Sequence, residues 1–284
     1  MPSLRQLRYL VVLSETRNFT RAAETCFVTQ STLSAGLKEL ETTLGVQLVE
    51  RDRQSVRMTP VGDAVADRAR GLLAGVEDLV QAASAGAEPM TGTVRLGAIP
   101  TIAPFLLPSL LPVVRERYPQ LRLALREDLT ANLLVRLGRG ELDFALIALP
   151  FDTGDLLVRP LFDDELWLVA PKGDPQLAPK RLTISQRMTE RLLILEEGHC
   201  LRDHTLEACG RAQVASAEGI EATSLLTLVE MVESGLGLAL VPEIVIQGGL
   251  LASSQLVARP LASPAPKRIV ALVARRSTAR SAEF

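Results

Sequence analysis

The apolar residues of this chain recur at helical spacing from Leu4 to Ala83 and change their period at Thr93. A helix returns to its buried face about every 3.6 residues and a strand about every two, so the stretches cannot form one layer of one kind. The sequence therefore predicts an all-helical N-terminal part joined to an α/β part. At 284 residues, 47% apolar and 23% charged, the chain has the length and composition for more than one globular core.

Leu4, Leu7, Leu10, Val11 and Leu13 place an amphipathic helix over residues 4–15. Asn18-Phe19-Thr20 offers a stop and a fresh cap, and a short second helix covers residues 21–25. Thr29 can cap a third, which carries Leu33, Leu37, Leu40 and Leu44 on one face and ends at Gly45. Two short helices with a tight connection make a helix-turn-helix, whose second member enters the major groove of double-stranded DNA. Its exposed start presents Gln30, Ser31 and Thr32, with Ser34 and Lys38 further along, side chains suited to base edges and phosphates. Residues 50–60 read as a small hairpin, or wing, with Arg51, Arg53 and Arg57 placed for backbone phosphates. Residues 1–60 hold eight Lys/Arg against six Asp/Glu, although the whole chain carries a formal charge of −2. A plain helical bundle with a charged loop is the competing reading. Cys26, at a helix end, reads as a small buried core residue.

Residues 61–83 lack proline and place Val65, Ala69, Leu72, Val76, Leu79 and Ala83 in alternating steps of four and three, a heptad seam. The seam can pair two copies or pack on the protein's own core. Ala83 to Pro89 follows as a joint. Beyond it, strands at 94–99, 121–126 and 144–149 alternate with helices at 105–117 and 132–137, a β-α-β-α-β lobe with a largely parallel sheet. A second set has strands at 166–170, 192–195 and 238–241 and a helix at 225–233 stopped by Gly235. A strand at 269–274 returns to the first lobe, and crossovers fall near Pro160-Leu161-Phe162 and Pro260-Leu261. Thr101, Thr130 and Thr223-Ser224 lie where such lobes bind small polar ligands, or where they merely cap helices.

The sulfur sits almost entirely in one place. Cys200 and Cys209 share a segment with both histidines, His199 and His204; Cys26 is the third cysteine. A cation such as Arg202 and a helix N-terminus near Leu201 favour a thiolate, whereas Glu196 and Glu197 oppose it. An unbroken helix from Cys200 to Cys209 would hold their Cα atoms roughly 13 Å apart on opposite faces. A disulfide needs about 7 Å or less, so this pair could join only if the segment refolded. Two inert core cysteines are the bland alternative. Zinc-ligand spacing and a Cys-x-x-Cys pair are both missing, so no metal and no thioredoxin-like activity are expected. The sequence suggests neither a signal peptide nor a membrane-spanning run, which points to the cytoplasm, where a cysteine pair is more often redox-sensing than structural.

Ala22-Ala23-Glu24, Thr32-Leu33-Ser34, Leu40-Glu41, Leu44-Gly45-Val46, Glu50-Arg51 and Thr59-Pro60-Val61-Gly62 resemble the winged-helix signature of LysR-type transcriptional regulators. Ser31 stands where the family often has proline and Val49 where phenylalanine is common. The resemblance implies a winged helix-turn-helix over 1–60 and a long linker and dimerisation helix over 61–88. It implies a two-lobed, periplasmic-binding-protein-like regulatory domain, lobe I over 93–162 and 262–275 and lobe II over 163–261. It further implies promoter DNA, a dimer or tetramer of the chain and RNA polymerase as partners, no membrane, no cofactor and no enzymatic turnover.

Within that family, residues 196–203 with Cys209 downstream are similar to the peroxide-sensing members, as are Ala222-Thr223-Ser224-Leu225 and Gly235-Leu236-Gly237. By this resemblance Cys200 is the peroxidatic thiol and Cys209 the resolving thiol, joined as a disulfide on oxidation. Thr101, Thr130 and His199 would orient peroxide, Arg202 and Arg268 would supply positive charge, and Asp203 would support them. The alternative is a LysR-type regulator that answers a small metabolite held between the lobes.

Overall fold

The computed structural model describes residues 1–51, 56–84, 89–179, 182–210, 221–278 and 280–284. The chain divides into two compact units. One is Met1–Glu88 with Gly138–Glu141 and Ser277–Ser281; the other holds Pro89–Leu137, Leu142–Arg276 and Ala282–Phe284.

The first unit begins with three helices, each capped by a short polar side chain. Helix α1 (Leu4–Thr16) opens with a capping box: Gln6 N–H donates to Ser3 Oγ while Ser3 N–H donates to Gln6 Oε1. Helix α2 (Phe19–Thr25) starts two residues earlier than its apolar pattern suggests, because the Asn18 side chain accepts the Arg21 amide. Helix α3 (Gln30–Leu44) is capped by Thr29 and stops at Gly45, where φ is +70°. Leu33, Leu37 and Leu40 are fully buried against Leu10 and Leu13, so one face of α3 is committed to the core and its first turn is left outside.

The turn from α2 to α3 is a Schellman motif. Val28 N–H donates to the Ala23 carbonyl and Phe27 N–H to the Glu24 carbonyl. The left-handed position of that motif, φ +56°, is occupied by Phe27 rather than glycine. Cys26, expected to be buried, is only half-buried at the edge of this core.

Strands β1 (Val49–Arg51) and β2 (Val56–Met58) form the wing, with Glu50 opposite Arg57. Glu41 ties the wing to α3: its Oε1 accepts the Leu48 and Val49 amides at 2.8 and 3.1 Å. Helix α4 (Pro60–Ser84) then runs 25 residues, its start capped by the Thr59 hydroxyl on the Gly62 amide. A Cβ on Gly62 would lie 2.0 Å from the Leu48 carbonyl oxygen, so only glycine lets the helix leave the wing here. The heptad seam is divided: Ala69 is buried in the unit's own core, while Leu72 and Leu79 are 60% and 69% exposed.

The second unit contains β3 (Gly92–Ala98), α5 (Ala103–Arg117), β4 (Leu121–Glu127), α6 (Thr130–Gly138), β5 (Phe144–Leu149) and the 15-residue β6 (Leu157–Pro171). There follow α7 (Gln186–Thr189), β7 (Ile194–Leu195), α8 (Cys200–Cys209), β8 (Glu221–Ala222), α9 (Leu225–Glu233), β9 (Ala239–Pro242), α10 (Glu243–Gln247), β10 (Leu256–Pro260) and β11 (Lys267–Ala274). One sheet runs β10-β6-β11-β5-β3-β4, with β9 also on β6. In this sheet β4-β3-β5 is parallel, as the β-α-β-α-β pattern of those three strands implies, and the other pairs are antiparallel. The crossover expected near Pro160 is no break in the strand. β6 pairs with β11 through Leu157–Glu165 and with β9 and β10 through Leu166–Pro171, so one strand threads both lobes. β10 and α10 carry no strong pattern and were not legible.

Each lobe has its own core. Ile99, Ile102, Leu133, Leu137, Ile147 and Val270 belong to the first, and Leu168, Leu192, Val232, Leu238 and Val245 to the second. No described helix is long and apolar enough to cross a membrane.

Glu41→Ala should strip two amides of their acceptor and lower the stability of the first unit by about 2 kcal/mol. Thermal melts of the full chain should show an early transition that Glu41→Gln, which keeps a carbonyl acceptor, largely restores.

Candidate functional site

The geometry of the second unit is organised around Arg268. Carried on β11, it is 0% exposed. Its Nε donates to Asp164 Oδ2 at 2.9 Å, its Nη1 to the Thr101 hydroxyl at 2.7 Å and its Nη2 to the Thr101 carbonyl at 3.1 Å. Asp164, on β6, uses its other oxygen to accept the Ile244 amide at the start of α10 at 3.0 Å. One guanidinium thus connects β11, β6, the turn between β3 and α5, and, through Asp164, α10. A cation this deep is tolerated because it is paired and its donors are satisfied. Asp164 is a functional position the sequence did not reveal: in the run Phe162-Asp163-Asp164-Glu165 nothing marks which acid turns inward.

Cys200 is the first residue of α8 and lies buried in the first lobe's core. His199 precedes it as the N-cap residue, buried, its side chain making no cap bond. Burial pushes the Cys200 thiol above its ordinary value, the Arg268 charge, the Thr130 hydroxyl and the Leu201 amide pull it back, and Asp203 adds to the rise. The Thr130 hydroxyl lies beside the thiol, is itself buried, and makes no hydrogen bond of normal geometry among the described residues. Cys200, Thr130, Thr101 and Arg268 are therefore brought together. Arg202 is directed elsewhere: its Nη1 donates to the Leu195 carbonyl at 2.8 Å and pairs with Glu221 at 2.6 Å, fixing α8 to β7 and β8. Asp203 is exposed.

The other end of α8 is in different surroundings. Cys209 packs into the second lobe's core, which Leu201, near the start of the helix, also joins. Burial alone pushes the Cys209 thiol up to about 11. Helix α8 is therefore strung between two cores, one cysteine in each, and it is unbroken from Cys200 to Cys209. At 1.5 Å rise and 100° per residue, the two Cα atoms are roughly 13 Å apart on opposite faces. Both thiols are free.

His204, one turn after Cys200, is 5% exposed with neither ring nitrogen in a hydrogen bond of normal geometry. Burial first, and the Arg268 charge second, hold its pKa below the usual imidazole value. It backs onto an open pocket lined by Pro150, Asp203, Leu206 and Glu207. Among the described residues, no three His, Cys, Asp or Glu side chains are placed to hold a metal ion.

In the first unit, Gln30, Ser31, Thr32 and Lys38 are exposed along α3, and Ser34 is half-buried. Gln30 accepts from the Thr20 hydroxyl at 3.2 Å, which links the starts of α2 and α3. Arg57 is exposed on the wing; Arg53 lies outside the described residues, as does the side chain of Arg51.

Comparison with known proteins fits both units. Residues 4–63 match the bacterial regulatory helix-turn-helix protein of the lysR family, and residues 87–284 match the LysR substrate binding domain. The chain belongs to the LysR family of transcriptional regulators. Within it, the chain closely resembles OxyR: it is 37% identical over 273 residues to the DNA-binding transcriptional dual regulator OxyR of Escherichia coli K12, covering 96% of this chain and 89% of that protein. It is also 47% identical over 285 residues to the HTH-type transcriptional regulator EstR of Acinetobacter baylyi, covering 100% of this chain and 94% of that one. Full-length OxyR of Pseudomonas aeruginosa, in a Cys-to-Asp variant, superposes with a TM-score of 0.81 at 38% identity, covering 99% of this chain and 91% of that one.

Removing Arg268 should show in both stability and thiol chemistry. Arg268→Met leaves Asp164 buried without its cation and should cost about 3–5 kcal/mol. It should also slow alkylation of Cys200 at a given pH, because the thiol then rises further; Arg268→Lys, which keeps the charge, should recover much of that rate. In the folded reduced wild type, alkylation of Cys209 should keep rising with pH towards about 11. In denaturant it should level off near the ordinary thiol value of roughly 8.5.

Proposed function

We propose that the chain is a peroxide-sensing transcriptional regulator, in which hydrogen peroxide oxidises Cys200 and a Cys200–Cys209 disulfide re-sets how the chain binds promoter DNA. The observation that carries the reading is the placement of α8: a cysteine at each end, each in a different core, with Arg268 and Thr130 grouped at the first. Relatives add support, among them hydrogen peroxide-inducible genes activators and an OxyR mutant of Corynebacterium glutamicum with H2O2 bound.

The Cys200 thiol gives up its proton and its sulfur attacks one peroxide oxygen. The O–O bond breaks; sulfur keeps one oxygen as sulfenic acid, and the other leaves, protonated, as water. Arg268, Thr101, Thr130 and His199 are assigned to hold the peroxide and stabilise the charge that develops on sulfur, with Asp203 at the rim; Arg202 acts by anchoring α8. Cys209 then attacks the sulfenic sulfur, the disulfide forms and a second water leaves. Its Cα must come from roughly 13 Å to within about 7 Å of its partner, so α8 has to come apart. Both cores lose a buried residue when it does, which is how a local bond becomes a rearrangement of the lobes.

Gln30, Ser31, Thr32, Ser34 and Lys38 are assigned to the operator's major groove, and Arg51, Arg53 and Arg57 to its phosphates. The exposed Leu72 and Leu79 face of α4 is assigned to a second copy. A dimer or tetramer acting on RNA polymerase in the cytoplasm completes the assignment. A regulator answering a metabolite between the lobes is the competing reading.

The test uses a duplex selected by the reduced protein from a random-sequence pool. Peroxide should change the footprint of the wild type, and Cys200→Ser should abolish that change. Cys209→Ser should still form the sulfenic acid, trappable with a dione probe, without a lasting disulfide. A Cys200→Ser protein that still switched with peroxide would contradict the proposal and favour the metabolite reading.

A further inference from the structure

Phe27 is the feature of the first unit that neither its core nor the assigned DNA contacts explain. The residue is 90% exposed, although the protein has only seven phenylalanines. Its backbone stands at φ +56°, in the left-handed position of the turn ending α2. Glycine is the usual occupant of that position and asparagine the next, because a bulky side chain there is strained. The neighbouring residues all follow the ordinary logic of the motif: Val28 turns in to the core, Thr29 caps α3, and the amides of Phe27 and Val28 close the turn. Nothing in the fold rewards an aromatic ring at this point.

Its position is informative. Phe27 is two residues from Thr29, so its Cα lies within about 7.6 Å of the capping residue of the recognition helix. It is thus continuous with the exposed tip formed by Thr29, Gln30, Ser31 and Thr32. That tip is polar: the Thr29 hydroxyl is bonded to those of Ser31 and Thr32, and Gln30 to Thr20. Arg8 and Arg21, both exposed, lie on the flanking helices, and the charge of Arg8 bears on the adjoining Cys26. An apolar ring at the edge of a polar, cation-flanked tip complements a duplex. DNA offers such a ring the C5-methyl of thymine at the groove edge and the face of deoxyribose along the backbone.

We infer that Phe27 is an apolar DNA contact, which adds binding energy, and where it meets a thymine methyl sequence preference, to the polar contacts of α3. The inference rests on the operator-binding reading above.

Phe27→Asn separates contact from structure, since asparagine accepts the left-handed backbone. The full-length reduced variant should melt no lower than the wild type. On a duplex selected by the wild type it should bind roughly tenfold more weakly, the scale of one lost base contact. The dependence of affinity on salt should stay unchanged because no charge is removed, whereas Arg57→Gln, at a position assigned to phosphate, should reduce that slope by about 1. Replacing thymine with deoxyuridine in each half-site distinguishes the two apolar surfaces. If wild-type affinity falls to that of the variant and the variant is indifferent, the methyl is the contact; if neither responds and the gap persists, deoxyribose is. Equal binding by wild type and Phe27→Asn would overturn the inference while leaving the operator reading intact. If the wild type selected no sequence at all, both would fall.

Discussion

A single buried guanidinium holds the regulatory unit in its present arrangement. Arg268 has no exposed surface and spends its hydrogen bonds on Asp164 and on both the hydroxyl and the carbonyl of Thr101. Asp164 in turn fixes the Ile244 amide in the first turn of α10. Elements far apart in the chain therefore converge on one charge. That charge also lowers the Cys200 thiol against the effect of burial and helps keep His204 neutral. A hydrophobic replacement could pack the same space, but it would supply no field at the sulfur. The pair is best understood as structure and electrostatics achieved by one group.

The second constraint is the division of α8 between two cores. Cys200 belongs to the same core as Ile102 and Leu133 in the first lobe, and Cys209 to that of Leu228 and Val232 in the second. While the helix is intact it separates the sulfurs and ties the lobes. Losing it would release both effects together. Both thiols are held in their protonated form by burial, Cys209 the more plainly because no positive charge offsets it. The resting arrangement is thus chemically quiet as well as mechanically closed, and the Arg268 charge, with the Thr130 hydroxyl and the Leu201 amide, singles out Cys200 from its partner.

The sequence made some of this legible and hid the rest, for identifiable reasons. The N-terminal helices, their caps at Asn18 and Thr29 and the stop at Gly45 follow from local periodicity and short-range bonding, which a single sequence carries well. The cysteine segment stood out by composition alone. What failed to show was everything set by long-range pairing. The unbroken course of β6 through both lobes depends on partners a hundred residues away, and β10 is a strand only because β6 offers it an edge. The same holds for Asp164, whose role exists only because Arg268 arrives opposite it in the register of β6 and β11. Arg202 illustrates the converse: adjacent in sequence to the cysteine, it turns along the helix to Leu195 and Glu221, because a side chain two residues on from the first helical position points to a different face.

The central claim is that peroxide joins the two ends of α8 before it touches any other thiol. It is tested by titrating the reduced protein with hydrogen peroxide, alkylating the free thiols, and identifying the digested peptides by mass. The account predicts a Cys200–Cys209 linked peptide at near-stoichiometric peroxide, with Cys26 still alkylated. Three alkylated cysteines persisting into a large excess of peroxide would contradict it.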